Sequence, residues 1–181
     1  MRSRKLSILS CCLLTVLGVA AAWSQPQVTD FSWITSDSRP NFSGTWTAVE
    51  VRIDPDGWEP YDNDWTLVIT QDESQLSVTE IIGDRENELI YQLDGSESHN
   101  EAVVGGGVIE SYVSRAHWVE GALIIETTTT RPAGSFSTMR MYYRDLSGRL
   151  NIARLASDIR SNQIMSIWAI AYEQQPERFV E

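Results

Sequence analysis

Apolar and polar residues alternate with a period of two through most of the chain after residue 41. The clearest case is residues 111–130, where two apolar-rich runs flank Val119-Glu120-Gly121. Side chains alternate along a strand, so every second residue of a run shares one face; these are Tyr112, Ser114, Ala116 and Trp118 in the first run and Leu123, Ile125, Thr127 and Thr129 in the second. Gly121 supplies the backbone conformation that a tight reversal needs. The stretch therefore predicts a β-hairpin.

Similar runs, separated by turn residues, predict further strands at 46–53, 65–71, 75–82, 88–93, 99–104, 135–144 and 149–155. Residues 163–172 fit either helical spacing or a strand. Their β-branched and aromatic content, and their place after a series of hairpins, favour a closing strand. About nine or ten strands joined by short turns predict an all-β fold, an antiparallel up-and-down barrel.

Charge decides which face of each predicted strand points inward. Arg115 and His117 alternate with Ala116 and Trp118, and two adjacent charge-capable side chains are not expected to point into a dry interior. The face that carries Trp118 is therefore predicted to be the inner one. The same rule predicts Met139, Met141 and Tyr143 inside the barrel and Arg140 and Arg144 outside it.

The first 24 residues have the layout of a cleaved secretory signal. A basic start (Arg2, Arg4 and Lys5) is followed by an apolar run and a small-residue site. The expected organisation is a signal peptide at 1–24, a polar leader at 25–40, the barrel domain at 41–172 and a polar tail at 173–181. Cys11 and Cys12 are the only cysteines and lie within the signal peptide, so the mature chain is expected to have no disulfide. Because of the signal peptide, the mature chain is expected in the periplasm or outside the cell.

The formal net charge is −11, with 25 acidic and 14 basic residues. This disfavours nucleic acids and anionic membrane surfaces as partners, because both would repel the protein. The acidic loop at 54–64 contains a fragment of a calcium-binding pattern, Asp54-x-Asp56-Gly57, but lacks the rest of it, which favours a solvated loop. His99 and His117 are the only histidines and lack a third ligand. No catalytic residue, metal site, cofactor or membrane span of the mature chain is predicted.

Three pieces carry a resemblance to a known family. They are Phe42-Ser43-Gly44-Thr45-Trp46, Leu93-Asp94-Gly95, and Ala116-His117-Trp118 through Gly121 to Glu126. Over roughly residues 41–155 this pattern resembles secreted bacterial lipocalin-like domains of the lipocalin and fatty-acid-binding superfamily. The resemblance implies an up-and-down barrel in which Gly44 and Trp46 are structural and Trp46 plugs one end.

Ligand identity does not follow from the resemblance. Fatty-acid-binding proteins hold a carboxylate with an Arg-x-Tyr on the last strands, and the expected last strand here offers Ala169-Ile170-Ala171-Tyr172 without an arginine. Haem-binding bacterial relatives use a late histidine, and none follows His117. The expected ligand is therefore a small apolar or amphipathic molecule.

The predicted ligand-binding residues line the expected interior: Tyr112, Ser114, Ala116, Trp118, Met141 and Tyr143. Ser114 and Ala116 are small and leave room for a ligand. The leading hypothesis is an exported non-enzymatic barrel that binds such a ligand. A small barrel enzyme (a cyclase, isomerase or hydrolase) and a filled structural or protein-interaction module remain alternatives. Convergent polar groups with perturbed ionisation inside the barrel would favour the enzyme, and an interior without a void would favour the module.

The signal peptide yields a first prediction. Protein recovered from the exported fraction should begin near Trp23 or Gln25, because cleavage is expected after Ala20-Ala21-Ala22 or after Ala22-Trp23-Ser24. N-terminal sequencing measures this directly, and a retained Met1 would contradict it.

Overall fold

The structure is a computed structural model that describes residues 39–53, 57–131, 134–159, 161 and 163–176. The predicted signal peptide, most of the leader and residues 54–56 of the acidic loop lie outside the described residues. The described chain forms eleven β-strands and one three-residue 3₁₀ turn, Gly105–Gly107. The strands are β1 Gly44–Arg52, β2 Trp58–Pro60, β3 Trp65–Gln71, β4 Gln75–Ile82, β5 Arg85–Gln92, β6 Glu97–Val104, β7 Val108–Val119, β8 Ala122–Arg131, β9 Gly134–Arg144, β10 Leu150–Asp158 and β11 Ile164–Gln174.

The strands form one antiparallel sheet in the order β5-β4-β3-β1-β11-β10-β9-β8-β7-β6, with the short β2 paired to β1. Most strands pair with their neighbours in sequence, β1 pairs with β3, and β1 also pairs with β11 to bring the two halves together. The predicted all-β, lipocalin-like up-and-down barrel is therefore confirmed. The ambiguous segment near residue 170 is a strand, and it continues through Gln174, two residues into the predicted polar tail, because Glu173 and Gln174 pair with Thr47 and Trp46.

Side chains join β5 to β6 at the seam of the barrel. The amide of Asn100 accepts a hydrogen bond from the backbone N–H of Ile90 (2.8 Å) and donates one to its carbonyl (2.9 Å). The amide of Asn87 does the same with Val103, at 2.9 Å and 3.3 Å. A side-chain amide offers the same donor and acceptor as a peptide group, so these residues satisfy backbone groups that would otherwise form an edge. The barrel is nearly closed as a result.

The predicted hairpin is present in β7 and β8, with Trp118 opposite Leu123. Its turn residues Glu120 and Gly121 both have positive φ, 46° and 79°, as the two-residue turn that matches the twist of a hairpin requires. Ser114 and Ala116 are buried on the inner face. The predicted orientation of this strand is confirmed.

The prediction for β9 is wrong: Met139, Met141 and Tyr143 lie on the outer face, and Arg140 and Arg144 share the inner face with Tyr142. Tyr142 is 1% exposed and pairs with the fully buried Leu123, whereas Met139 is 40% exposed. The physical reason is charge compensation, because Glu80 reaches Arg140 across the interior at 2.9 Å. A paired charge does not obey the rule that charges point outward.

Trp46 lies buried at the end of the barrel where β1 begins, here called the sealed end, and its role as the plug of that end stays a prediction. Its side chain is fully buried, and its indole N–H donates a hydrogen bond to the carbonyl of Phe42 at 2.8 Å. The guanidinium of Arg144 lies 4.8 Å from the ring centroid. Gly44, which opens β1, has a φ of 138° that other residues avoid.

Replacing Trp46 tests this seal. Trp46→Ala should lower the free energy of unfolding by ~3–5 kcal/mol, because a fully buried ring is lost. Trp46→Phe should cost less, since it keeps most of the packing but removes the hydrogen bond to Phe42. Urea denaturation measures both. Trp58→Ala, at an exposed site on β2, serves as the control with an expected change of about 0.5 kcal/mol, and an equal loss in both alanine variants would contradict the seal.

Candidate ligand-binding site

Residues in cross-strand register form rows across the inner wall from β7 to β11. A row near the sealed end, here called the floor row, is apolar and aromatic: Trp118, Leu123, Tyr142, Ile152 and Ile170. Phe42 stacks against Trp118 with ring centroids 5.9 Å apart. This end of the interior is therefore filled by side chains.

The next row toward the open end, the arginine row, places two cations side by side. Its members are Ala116, Ile125, Arg140, Arg154 and Trp168. Arg140 and Arg154 are direct cross-strand partners, and like charges in that arrangement are destabilising. Something else in the interior must offset their repulsion.

Beyond the arginines lies a row of small side chains, the small belt. It consists of Ser98, Ser114, Thr127, Thr138, Ala156 and Ser166. The hydroxyls of Ser114 and Thr127 lie 2.8 Å apart in a hydrogen bond. Small residues on six adjacent strands place less side-chain volume in the interior than the rows on either side.

Arg140 is held in an ion pair. Its Nη1 lies 2.9 Å from Oε1 of Glu80, and the two side chains are 20% and 14% exposed. Burial lowers the pKa of Arg140, but the charge of Glu80 and the nearby Tyr91 and Tyr142 outweigh it and leave that pKa well above its ordinary value. Burial also raises the pKa of Tyr142 and of Tyr91. The cluster therefore combines an ion pair with two tyrosines whose phenols stay neutral.

A second carboxylate lies nearer the open end. Glu110 is 6% exposed, accepts a hydrogen bond from the Tyr112 hydroxyl (3.0 Å) and pairs with Nε of Arg131 at 3.2 Å. Burial, and then the hydrogen bond to Glu110, raise the pKa of Tyr112 to about 12. The ion pair with Arg131 therefore balances the charge of Glu110.

Arg154 differs from both of these groups. Among the described residues it makes no ion pair, and its Nε is buried without a hydrogen-bond partner. Its guanidinium lies 5.5 Å from the ring centroid of Trp168. Burial lowers the pKa of Arg154, and the charge of Arg140 lowers it further, yet a guanidinium keeps its charge in proteins.

Trp65 supplies another unpartnered donor at the same place. Its ring contacts Trp168 edge-on, with centroids 6.0 Å apart, and its indole Nε1 is buried without a partner. Buried donors almost always have an acceptor. Trp65 and Arg154 therefore both contact Trp168, and each carries a buried donor without a partner; the Nε1 of Trp118 and the Nε of Arg144, elsewhere on the inner face, are in the same state.

Only some of the predicted ligand-binding residues lie on the inner face of the barrel. Tyr112, Ser114 and Ala116 lie on the inner face, and Trp118 lies in the floor row. Met141 and Tyr143 point outward, so their predicted place in the lining is wrong. The ligand role of the inner residues stays a prediction.

Sequence reasoning missed the charged groups of the interior, which are Glu80, Arg140 and Arg154. One signal was available. Arg140-Met141-Tyr142 has the Arg-x-Tyr spacing that the resemblance suggested looking for, but it lies on β9 rather than on the last strand. The pairing of Glu80 with Arg140 has no signal in local sequence.

Clefts are also present on the surface. One of about 530 Å³ at the sealed end involves Arg39, Gln71, Leu93 and Trp118. Another of about 360 Å³ lies on the outer faces of β7 to β9. No group of three potential metal ligands comes together among the described residues, which exclude Asp54 and Asp56. The same residues contain no helix long and apolar enough to cross a membrane.

The fold is that of the lipocalin and fatty-acid-binding barrels, and solved structures of this kind are similar to the chain. A structure described as a REP1-NXSQ fatty acid transporter matches with a TM-score of 0.50 and 10% identity, covering 74% of this chain and 96% of its own. Apo lipid binding protein 8 of Caenorhabditis elegans matches with a TM-score of 0.57 and 13% identity, covering 78% and 100%. No family model and no curated protein matches the sequence.

A double-mutant cycle tests the buried ion pair. Arg140→Met and Glu80→Gln should each lower the free energy of unfolding by ~3–5 kcal/mol, because each leaves a charge without its partner. The double variant should cost clearly less than the sum of the two. Urea unfolding gives all three values. Arg115→Met breaks an exposed pair with Glu97 and should cost under about 1 kcal/mol; an equal cost for Arg140→Met would show that the pair is not buried in solution.

Proposed function

We propose that the barrel interior binds a small amphipathic molecule whose anionic head group contacts Arg154 and Trp65. The observation that carries this proposal is the buried Nε of Arg154, which has no partner among the described residues. The apolar part of the molecule would pack against the floor row and the apolar wall of β3 to β5, where Leu67, Ile69 and Leu89 are buried.

The charges of the interior favour an anion over a neutral head group. Arg140 and Arg154 are cross-strand partners, and Glu80 pairs with only the first of them. A bound anion would offset the remaining positive charge, and hydrogen bonds between charged groups are about twice as strong as neutral ones. The Arg-x-Tyr pattern of fatty-acid-binding proteins is present at Arg140-Met141-Tyr142, but here its arginine already has a carboxylate. Arg154, its cross-strand partner, has no ion pair among the described residues.

An enzyme is the second candidate, because convergent polar groups with perturbed ionisation do occupy the interior. The direction of the shifts favours binding instead. General acid–base catalysis needs a pKa near the working pH, whereas the pKa values of Tyr91, Tyr112, Tyr142 and Arg140 all move away from neutrality. These groups hold one ionisation state, which suits recognition of a fixed charge.

Two further considerations support the proposal. The similar solved structures are described as a fatty acid transporter and a lipid binding protein, although at 10% and 13% identity that likeness concerns the fold. The basic start and apolar run of the N-terminus support export. A non-enzymatic binding protein of the periplasm or the extracellular space is the function we propose.

Titration with a matched pair of probes tests the head-group site. Dodecanoate and dodecan-1-ol have the same chain length and differ in charge, and binding can be followed by tryptophan fluorescence and calorimetry. Arg154→Met should weaken dodecanoate binding at least about tenfold, equal to about 1.4 kcal/mol, because a charge-assisted hydrogen bond is lost. Binding of the alcohol should change by less than about threefold.

Arg115→Met is the matched control, since Arg115 lies exposed on the outer face and its loss should leave both probes unaffected. The proposal fails if Arg154→Met binds dodecanoate as tightly as the unaltered protein does. It also fails if the unaltered protein binds neither probe.

A further inference from the structure

One carboxylate faces two guanidinium groups at the level of the arginine row. Nη1 of Arg140 lies 2.9 Å from Oε1 of Glu80, and Arg154 is the cross-strand partner of Arg140. Burial and the charge of Arg140 lower the pKa of Arg154, whereas the charge of Glu80 raises it in part. Glu80 therefore acts on both arginines, although it forms an ion pair with only one of them.

Glu80 also lies next to the second donor of the proposed site, the indole of Trp65. Trp65 pairs with Ile82 across β3 and β4, and Glu80, two residues before Ile82, pairs with Leu67. Glu80 and Trp65 are therefore diagonal neighbours on the inner face, a spacing of about 7–8 Å that long side chains can bridge. An anion held by Trp65 and Arg154 would lie near the carboxylate of Glu80.

The tyrosines around these charges stay neutral. Burial raises the pKa of Tyr91 and of Tyr142, and it raises the pKa of Tyr172 well above its ordinary value. Two guanidinium groups keep their charge, and one carboxylate opposes them. The arginine row and the groups that face it therefore hold one positive charge in excess.

The ionisable groups nearer the open end are engaged with other parts of the protein. Nε of Arg131 lies 3.2 Å from Oε1 of Glu110. Oδ1 of Asp158, where β10 ends, accepts hydrogen bonds from the backbone N–H and the hydroxyl of Ser161, at 2.7 and 2.9 Å. The excess positive charge is thus confined to the arginine row.

We propose that Glu80 restricts the head-group site to ligands that carry a single negative charge. This inference rests on the proposed function, because it concerns the anion that would bind beside Arg154. A monoanion balances the excess charge of the arginine row. The second charge of a dianion finds no free cation, since Arg140 already pairs with Glu80, and it lies close to that carboxylate. An uncompensated buried charge is costly, and placing like charges together excludes the wrong ligand.

Two phosphate esters that differ by one charge test this restriction. The diester methyl dodecyl phosphate is a monoanion, whereas the monoester dodecyl phosphate is close to a dianion at about pH 8, because the second pKa of such a monoester is about 6. The unaltered protein should bind the diester at least about tenfold more tightly than the monoester. The additional methyl group alone would account for about fourfold. Calorimetry measures both affinities.

Variants of the ion pair identify the group that sets the preference. Glu80→Gln should abolish or reverse it, because Arg140 and Arg154 can then both face the second charge of the monoester. In Glu80→Gln/Arg140→Met the excess returns to one positive charge, and the preference for the diester should return with it. The matched control is Glu97→Gln, which removes a carboxylate from the outer face and should change the ratio of the two affinities by less than about twofold. The methyl group cancels when variants are compared.

Dodecanoate separates failure of this inference from failure of the proposed function. If the unaltered protein binds dodecanoate but binds the monoester as tightly as the diester, the charge restriction alone is overturned. If it binds neither dodecanoate nor either ester, both are overturned. A full preference for the diester in Glu80→Gln, shown to be folded by far-ultraviolet circular dichroism, would also exclude Glu80 as its cause. Should that variant not fold, the unaltered protein and the double variant decide, because both must prefer the diester.

Discussion

Closure of the barrel is the constraint on which the rest of the structure depends. On one side β1 pairs with β11 through a ladder that shifts register between Ala48 and Glu50. On the other side the backbone groups of β5 and β6 find their partners in the side-chain amides of Asn87 and Asn100. An exposed edge would invite pairing with another chain. Closure also sets which side chains face one another across the interior, and it is this second effect that creates the candidate site.

Much of the fold follows from local sequence, because strands and their turns are local features. Residues 65–71 and 75–82 are predicted with the bounds that β3 and β4 have in the structure. Their turn is specified by Asp72, whose Oδ1 accepts hydrogen bonds from the backbone N–H groups of Ser74 and Gln75. These bonds hold the pKa of Asp72 below its ordinary value. A period of two and an Asp turn are enough to place such a hairpin.

The site could not be predicted in the same way. The rule that placed Trp118 inside treats charge as a property of one strand, and it works for β7 because Arg115 finds its partner on the surface. It fails for β9 because the partner of Arg140 is sixty residues away in the chain and on a strand that is not its neighbour in the sheet. Only closure brings Glu80 opposite Arg140. A sequence pattern that repeats every two residues contains no information about that distance.

The same failure explains why Arg154 is informative. An arginine facing the interior with a carboxylate partner is a structural feature, and Glu80 and Arg140 are adequately explained in that way. A second arginine in direct register with the first adds a repulsion that the charges of Glu80 and Glu110 offset only in part. The face of Trp168 adds a cation–π contact, which contributes only about 0.5–1 kcal/mol when exposed and about 2 when desolvated. Natural proteins keep such costs where a ligand removes them. The second arginine next to the small belt is therefore the feature of the interior that the proposed anionic ligand would explain.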